Sequence, residues 1–151
     1  MSRCEGWGQQ SRGSFCKART YWFNVGDSRA YLCRERLRQL TKDHVPVGDT
    51  GPTSRRSHAI TQSIGGRPSF SDVWPAAGSI SVAPGDKIVI CSDGLTDLLS
   101  DKEIEVFLRK GGPREIACNL RDTALSRGAP DNVAGCALWE AMARSARGRA
   151  Y

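Results

Sequence analysis

The chain has 151 residues, of which 39% are hydrophobic and 25% charged, and a formal net charge of +6. That suffices for one domain with a modest core, and no apolar run comes near the roughly 18 residues of a membrane span. The first 20 residues lack the apolar centre of a signal peptide, so no membrane association and a cytoplasmic location are expected.

Residues 1–20, "MSRCEGWGQQSRGSFCKART", show no periodicity and read as a flexible lead-in. A domain is expected from Tyr21 to Trp139. "TYWFNV" reads as a strand, "GDSR" as a turn and "AYLCR" as a second strand, with "ERLRQL" adding a third in an antiparallel meander. Residues 43–58 hold prolines and glycines without an apolar period and read as a loop. "AITQSIGG" is either a strand or a single helical turn. "GSISVAPGDKIVICS" reads as strand, turn, strand, with Pro84-Gly85-Asp86 in the turn. Ser100 and Glu103 form a capping box that starts a helix at Asp101, with Ile104, Phe107 and Leu108 on its apolar face. Gly111-Gly112 stop it. Pro113 opens a second helix, whose stripe is Ile116, Leu120 and Ala124, and Gly128 ends it. "NVAGCALW" closes the domain as a strand, and residues 140–151 form a short basic tail. Strands first, then strand–helix–helix–strand, indicate an α+β layered fold with a mainly antiparallel sheet.

The basic excess does not mark a nucleic-acid face. Residues 1–20 carry four basic and one acidic side chain and residues 140–151 three and one, leaving fifteen and fourteen between them. A charge concentrated in two tails, with no aromatic–basic interleaving, argues against a nucleic-acid partner. The six cysteines include no C-x-x-C pair. Cys33, Cys91 and Cys136 lie in apolar stretches, as small core residues do, so reduced thiols are expected rather than disulfides or zinc.

Three aspartates stand where strands meet loops. Asp93 follows the apolar run "KIVIC", Asp131 sits in the loop before the last strand, and Asp27 lies at the mouth of the first expected hairpin. A carboxylate at the end of a buried strand is costly unless paired or coordinated. Three hard oxygen donors at one sheet edge, without His or Cys, suit Mg²⁺ or Mn²⁺. Taken singly, each has a plainer reading: Asp93 as a helix cap, Asp131 as a turn residue, Asp27 as a turn residue in a local ion pair with Arg29. Asp97 and Asp101 read as surface and helix-start carboxylates, and His44 as a structural part of its turn.

Five segments in order give the chain a resemblance to the metal-dependent protein phosphatases of the protein phosphatase 2C type, bacterial members above all. They are "NVGDSRAYL", "LTKDH", "AITQSIGG", "GDKIVICSDGLTDLLSDKEI" and "APDNVAGCAL". The resemblance implies an α-β-β-α sandwich with a two-metal Mn²⁺ or Mg²⁺ centre. It implies hydrolysis of phosphoserine and phosphothreonine in proteins by a metal-activated water, with substrates from a serine/threonine kinase pathway. By position, Asp93 and Asp131 match core metal ligands, and Asp27 matches an aspartate of a further metal site. Residues 45–58 would form a flap beside the centre.

The departures lie upstream. The family's Asp-Gly-x-Gly-Gly metal motif has no counterpart in the sequence, nor has the early Glu-Asp pair. Neither His44 nor His58 matches the family's general-acid histidine, so no catalytic side chain is assigned. Val45 and Ala134 replace a usual Ser and Thr. The expectation is therefore a partial sandwich without its N-terminal strands, a truncated phosphatase portion of doubtful activity by itself. The alternative is a non-catalytic phosphatase-like module that binds phosphoproteins or a kinase.

Overall fold

The computed structural model describes residues 18–46, 59–65, 72–128 and 137–140. Among these residues six strands and three helices follow one another: β1 Ala18–Asn24, β2 Arg29–Cys33, β3 Leu37–Gln39, β4 Ala76–Val82, β5 Lys87–Cys91, α1 Asp93–Thr96, α2 Asp101–Leu108, α3 Pro113–Ser126 and β6 Ala137–Glu140. Strand β1 thus begins three residues before Tyr21.

The strands form two antiparallel sheets. One is β1–β4; the other runs β3–β2–β5–β6. This corrects the expected meander, because β1 pairs with β4 and not with β2. The reason is legible in burial. Ala30, Tyr31, Leu32 and Cys33 are all buried, so β2 has neighbours on both faces and both edges, as an interior strand must. Strand β1 instead alternates, with Arg19, Tyr21 and Phe23 outward and Trp22 and Asn24 inward. The "GDSR" turn carries the chain across the sandwich, turning at Gly26 with φ +107°.

The turn after β4 crosses back. Asp86 N–H donates to Ala83 O at 3.0 Å, and Gly85 has φ +87°, a turn with Pro at its first central position and Gly at its second. Asp86 fixes it. Its carboxylate, only 2% exposed, accepts from Ala83 N at 2.8 Å and from Arg34 Nε and Nη2 at 2.7 and 2.6 Å. Arg34 lies at the far end of β2, so this pair ties the crossing to the other sheet.

Two cores result. Leu32 and Ile88 from the four-stranded sheet meet Val82 and Ile80 of β4, filling the space between sheets. Tyr31, Cys33, Val89 and Cys91, on the opposite face, pack under Leu95, Leu99, Ile104, Leu108, Ile116, Leu120 and Ala124. Helices therefore cover one sheet, and among the described residues none covers the outer face of β1–β4, where Tyr21 and Phe23 are 74% and 78% exposed. Described residues thus give β-β-α of the expected α-β-β-α layering.

Helices α2 and α3 begin and end as the sequence indicates, whereas the four-residue α1 has no counterpart among the expected elements. Ser100 Oγ accepts from Glu103 N while the Glu103 carboxylate accepts from Ser100 N, and α2 stops before Gly111, φ +84°. Pro113 is the first residue of α3, and Ile116, Leu120 and Ala124 are fully buried. The segment "AITQSIGG" is neither strand nor helical turn over residues 59–65; Thr61 N–H is spent on His44 O at 2.8 Å. Cys33, Cys91 and Cys118 are thiols, the first two buried; Cys136, like the tails, lies outside the described residues.

Two consequences can be measured. Gly78 pairs with Trp22 across β1–β4, and a Cβ there would stand 2.5 Å from the Trp22 ring; Gly78→Ala should lower stability by about 1–3 kcal/mol in urea unfolding. Because Arg34 holds the Asp86 carboxyl below its ordinary value, the folded state binds that proton less readily than the unfolded chain. The stabilisation is complete above the ordinary aspartate range and is lost as pH falls through the lowered folded value. Thermal melts of Asp86→Asn between about pH 5 and about pH 2 should show a flatter acid limb than wild type.

Candidate metal centre

Register brings two of the three sequence-selected aspartates together. Arg29 of β2 stands opposite Cys91 of β5, so the chain entering β2 and the chain leaving β5 emerge at the same sheet edge. Asp27 lies two residues before Arg29 and Asp93 two residues after Cys91. Asp93 is not in an open loop: it is the first residue of the four-residue α1, behind Ser92 as N-cap. Its Oδ1 accepts from Gly94 N at 2.8 Å. Asp131 lies outside the described residues.

The electrostatics of Asp27 report the company it keeps. Its carboxyl titrates above the ordinary aspartate value, first through burial and then through the charge of Asp93, with smaller contributions from Asp43 and Asp97. A partly buried carboxylate in the field of other carboxylates, Asp93 first among them, is destabilised as an anion, and a divalent cation would relieve it. That donor set, carboxylate oxygens without sulfur or imidazole, fits a hard ion. Among the described residues, however, no three His, Cys, Asp or Glu side chains converge to hold one. Asp27 and Asp93 stand at that edge without a third such side chain among the described residues. Ser92 Oγ, beside Asp93, is buried without a hydrogen-bond partner among the described residues.

Arg29 does not form the local pair with Asp27 that its position suggests. It turns to Asp43: Nη2 donates to Oδ2 at 2.6 Å, and Nε to Oδ2 and Oδ1 at 2.9 and 3.1 Å. Both side chains are nearly buried, at 12% and 13% exposure. Burial alone would lower the Arg29 pKa, but the hydrogen bonds to Asp43 and Tyr31 outweigh it and the net shift is upward. Gln39 Nε2 donates to the same carboxylate at 2.9 Å. Arg29 Nη1 reaches Tyr31 OH at 3.1 Å, and that hydroxyl donates to Asp101 at 3.1 Å. Burial pushes the Tyr31 phenol pKa up, against the pull of Arg29, so the phenol keeps its proton. Asp101 is thus both a helix-start carboxylate and the far end of a chain of polar contacts.

The "LTKDH" segment braces the turn at further points. Thr41 Oγ1 accepts from Ala30 N at 3.0 Å, and Leu40 N donates to Ala30 O at 2.7 Å. His44 bonds Gly26 on both sides: its Nδ1 accepts from Gly26 N at 3.2 Å and its N–H donates to Gly26 O at 3.0 Å. This is the structural role expected of His44. What the sequence did not disclose is its target, the residue before Asp27.

Comparison with known proteins agrees with this geometry. No family model matches the chain. Over 117 residues it is 36% identical to the serine/threonine protein phosphatase PstP of Mycobacterium tuberculosis, covering 73% of this chain and 23% of PstP. The solved serine/threonine phosphatase of S. agalactiae superimposes with a TM-score of 0.70 at 27% identity, covering 82% of this chain and 55% of that one. A solved PstP catalytic domain in complex with two manganese ions gives 0.66 at 32% identity, covering 82% and 53%. In sequence and fold the chain is similar to protein phosphatase 2C-type serine/threonine phosphatases, and it spans about half the length of these solved chains and 23% of PstP.

The brace yields a stability test. Asp43→Ala leaves Arg29 buried without its counter-ion and should cost about 3–5 kcal/mol in urea unfolding at neutral pH. The exposed neighbour pair Arg121–Asp122, at 55% and 60% exposure, serves as control: Asp122→Ala should leave the midpoint where it is.

Proposed function

We propose that this chain contributes one side of a two-metal protein phosphatase centre, acting on phosphoserine and phosphothreonine in proteins. The observation that carries the reading is the meeting of Asp27 and Asp93 at one sheet edge, where each additional carboxylate raises the cost of Asp27's charge. Asp27 and Asp93 would hold Mn²⁺ or Mg²⁺, and Asp131 would join them from the loop before β6. A pair of such ions, when bound, activates water for attack on phosphorus and offsets charge on the phosphoryl oxygens. The chain's own residues supply acceptor oxygens at the edge and hold them in place. The buried Arg29–Asp43 pair and the His44 clamp keep the "GDSR" turn in register with the Asp93 end of β5. Phosphoproteins made by a serine/threonine kinase are the substrate class this reading implies, and a cytoplasmic setting belongs to the same proposal.

Two measurements on the purified chain test it together: Mn²⁺ uptake by calorimetry, and phosphate release from a phosphothreonine peptide with and without Mn²⁺. Wild type should take up Mn²⁺, and Asp93→Ala, which removes a direct ligand, should weaken uptake by more than the roughly tenfold that losing a supporting residue costs. Mn²⁺-dependent phosphate release that disappears in Asp93→Ala would establish a working centre in this chain. Metal uptake without release would assign it a metal-holding half. Uptake unchanged by the substitution overturns the proposal.

A further inference from the structure

We infer that His44 is a positioning residue for the metal-facing carboxylate of Asp27, acting through the backbone of Gly26. The inference rests on the metal reading above and extends it to a side chain that touches neither metal nor substrate.

The geometry is specific. Gly26 has φ +107°, a backbone conformation that side-chain-bearing residues rarely adopt, and it is buried. Both of its peptide polar groups are engaged by residue 44: Gly26 N donates to His44 Nδ1 at 3.2 Å, and Gly26 O accepts from His44 N at 3.0 Å. Asn24 Nδ2 donates to Gly26 O as well, at 3.2 Å. A ring nitrogen can accept only when it carries no proton, so the ring proton sits on Nε2. Residue 44 is itself held from the far side, since its O accepts from Thr61 N at 2.8 Å. Asp27 is the next residue after Gly26. Its backbone direction, and hence the approach of its carboxylate to Asp93, is set by the peptide that His44 grips.

A turn with two mutually repelling carboxylates at its edge would otherwise relax by swinging Asp27 outward. The clamp opposes that motion without placing a positive charge beside Asp27 that would compete with a cation. A histidine accepting through Nδ1 meets both needs; a lysine or arginine, which only donate, would meet neither.

The test compares His44→Leu, which removes the acceptor, with His44→Asn, whose Oδ1 can take the place of Nδ1. Thermal melts check that both variants fold. Mn²⁺ affinity should fall roughly 10–100-fold in His44→Leu and return to within about threefold of wild type in His44→Asn. Exchange of the Gly26 amide proton, followed by NMR without metal, should quicken in His44→Leu and stay slow in His44→Asn, while the β2 amides do not change. Wild-type Mn²⁺ affinity in a folded His44→Leu overturns the inference. If wild type itself takes up no Mn²⁺, the metal reading falls, and Gly26 exchange then decides the clamp alone: unchanged protection in His44→Leu overturns it. If His44→Leu does not fold, His44→Asn decides: weakened Mn²⁺ binding with a quickened Gly26 amide overturns the substitution of Oδ1 for Nδ1 on which the clamp rests.

Discussion

The described structure hinges on the nearly buried ion pair between Arg29 and Asp43. Its geometry is multidentate, and neither partner could be left alone at that depth without a large desolvation penalty. Arg29 opens β2, the strand at the interior of the larger sheet. Asp43 lies just beyond β3. The pair therefore fixes where the chain, having left β1, must enter the second sheet. Through Tyr31 OH the same network reaches Asp101 at the start of α2, so one guanidinium links the sheet-crossing turn, the sheet and the helical layer. Arg34 and Asp86 repeat the device at the opposite end of β2. Two of the crossings between sheets, β1 to β2 and β4 to β5, are each fastened by an arginine at an end of β2 and an aspartate from a turn or loop.

This arrangement explains which features were readable in the sequence and which were not. Local rules sufficed for α2 and α3. The Ser100–Glu103 box, Pro113 and the Ile116–Leu120–Ala124 stripe act over a few residues, and the structure places them accordingly. Strand existence was also legible from apolar runs. Strand partnership was not, because "TYWFNVGDSRAYLC" satisfies the local signature of a hairpin as well as that of two strands in different sheets. What separates the two is burial on both faces of β2 against one face of β1, a consequence of the tertiary layering. The same holds for Arg29. Its sequence neighbour Asp27 was the obvious partner, yet the partner it takes is 14 residues away. The pairing of Asp27 with Asp93 was legible only as a wish for strand ends to converge; the β2–β5 register supplies the convergence.

The diversion of Arg29 has a chemical meaning for the site. A guanidinium two residues from Asp27 would ordinarily neutralise it and lower its pKa. With Arg29 committed to Asp43, burial and the nearby aspartates dominate, and Asp27 moves the other way. Asp43 enters that sum too, yet its own charge is answered by Arg29 and Gln39, which leaves Asp93 as the larger electrostatic neighbour. The fold thus commits Arg29 to architecture, while Asp27 and Asp93 stay at the same sheet edge. A cluster of this kind is a liability to a protein that never meets a divalent ion and an asset to one that does.

The layering carries the argument one step further. Leu32 and Ile88 press against β4 while Tyr31 and Val89 press against the helices, so strand β2 is buried on both sides. The two-stranded sheet is finished only on its inner side, where Trp22 lies over Gly78; outward it shows Tyr21 and Phe23. The solved phosphatases that superimpose on this chain have nearly half their length outside the match. Among the described residues, an apolar sheet face without a helix layer and two aspartates without a third carboxylate are different deficits, one of packing and one of coordination. The first lies on the outer face of β1–β4 and the second at the ends of β2 and β5, so the two demands arise in different sheets of the sandwich.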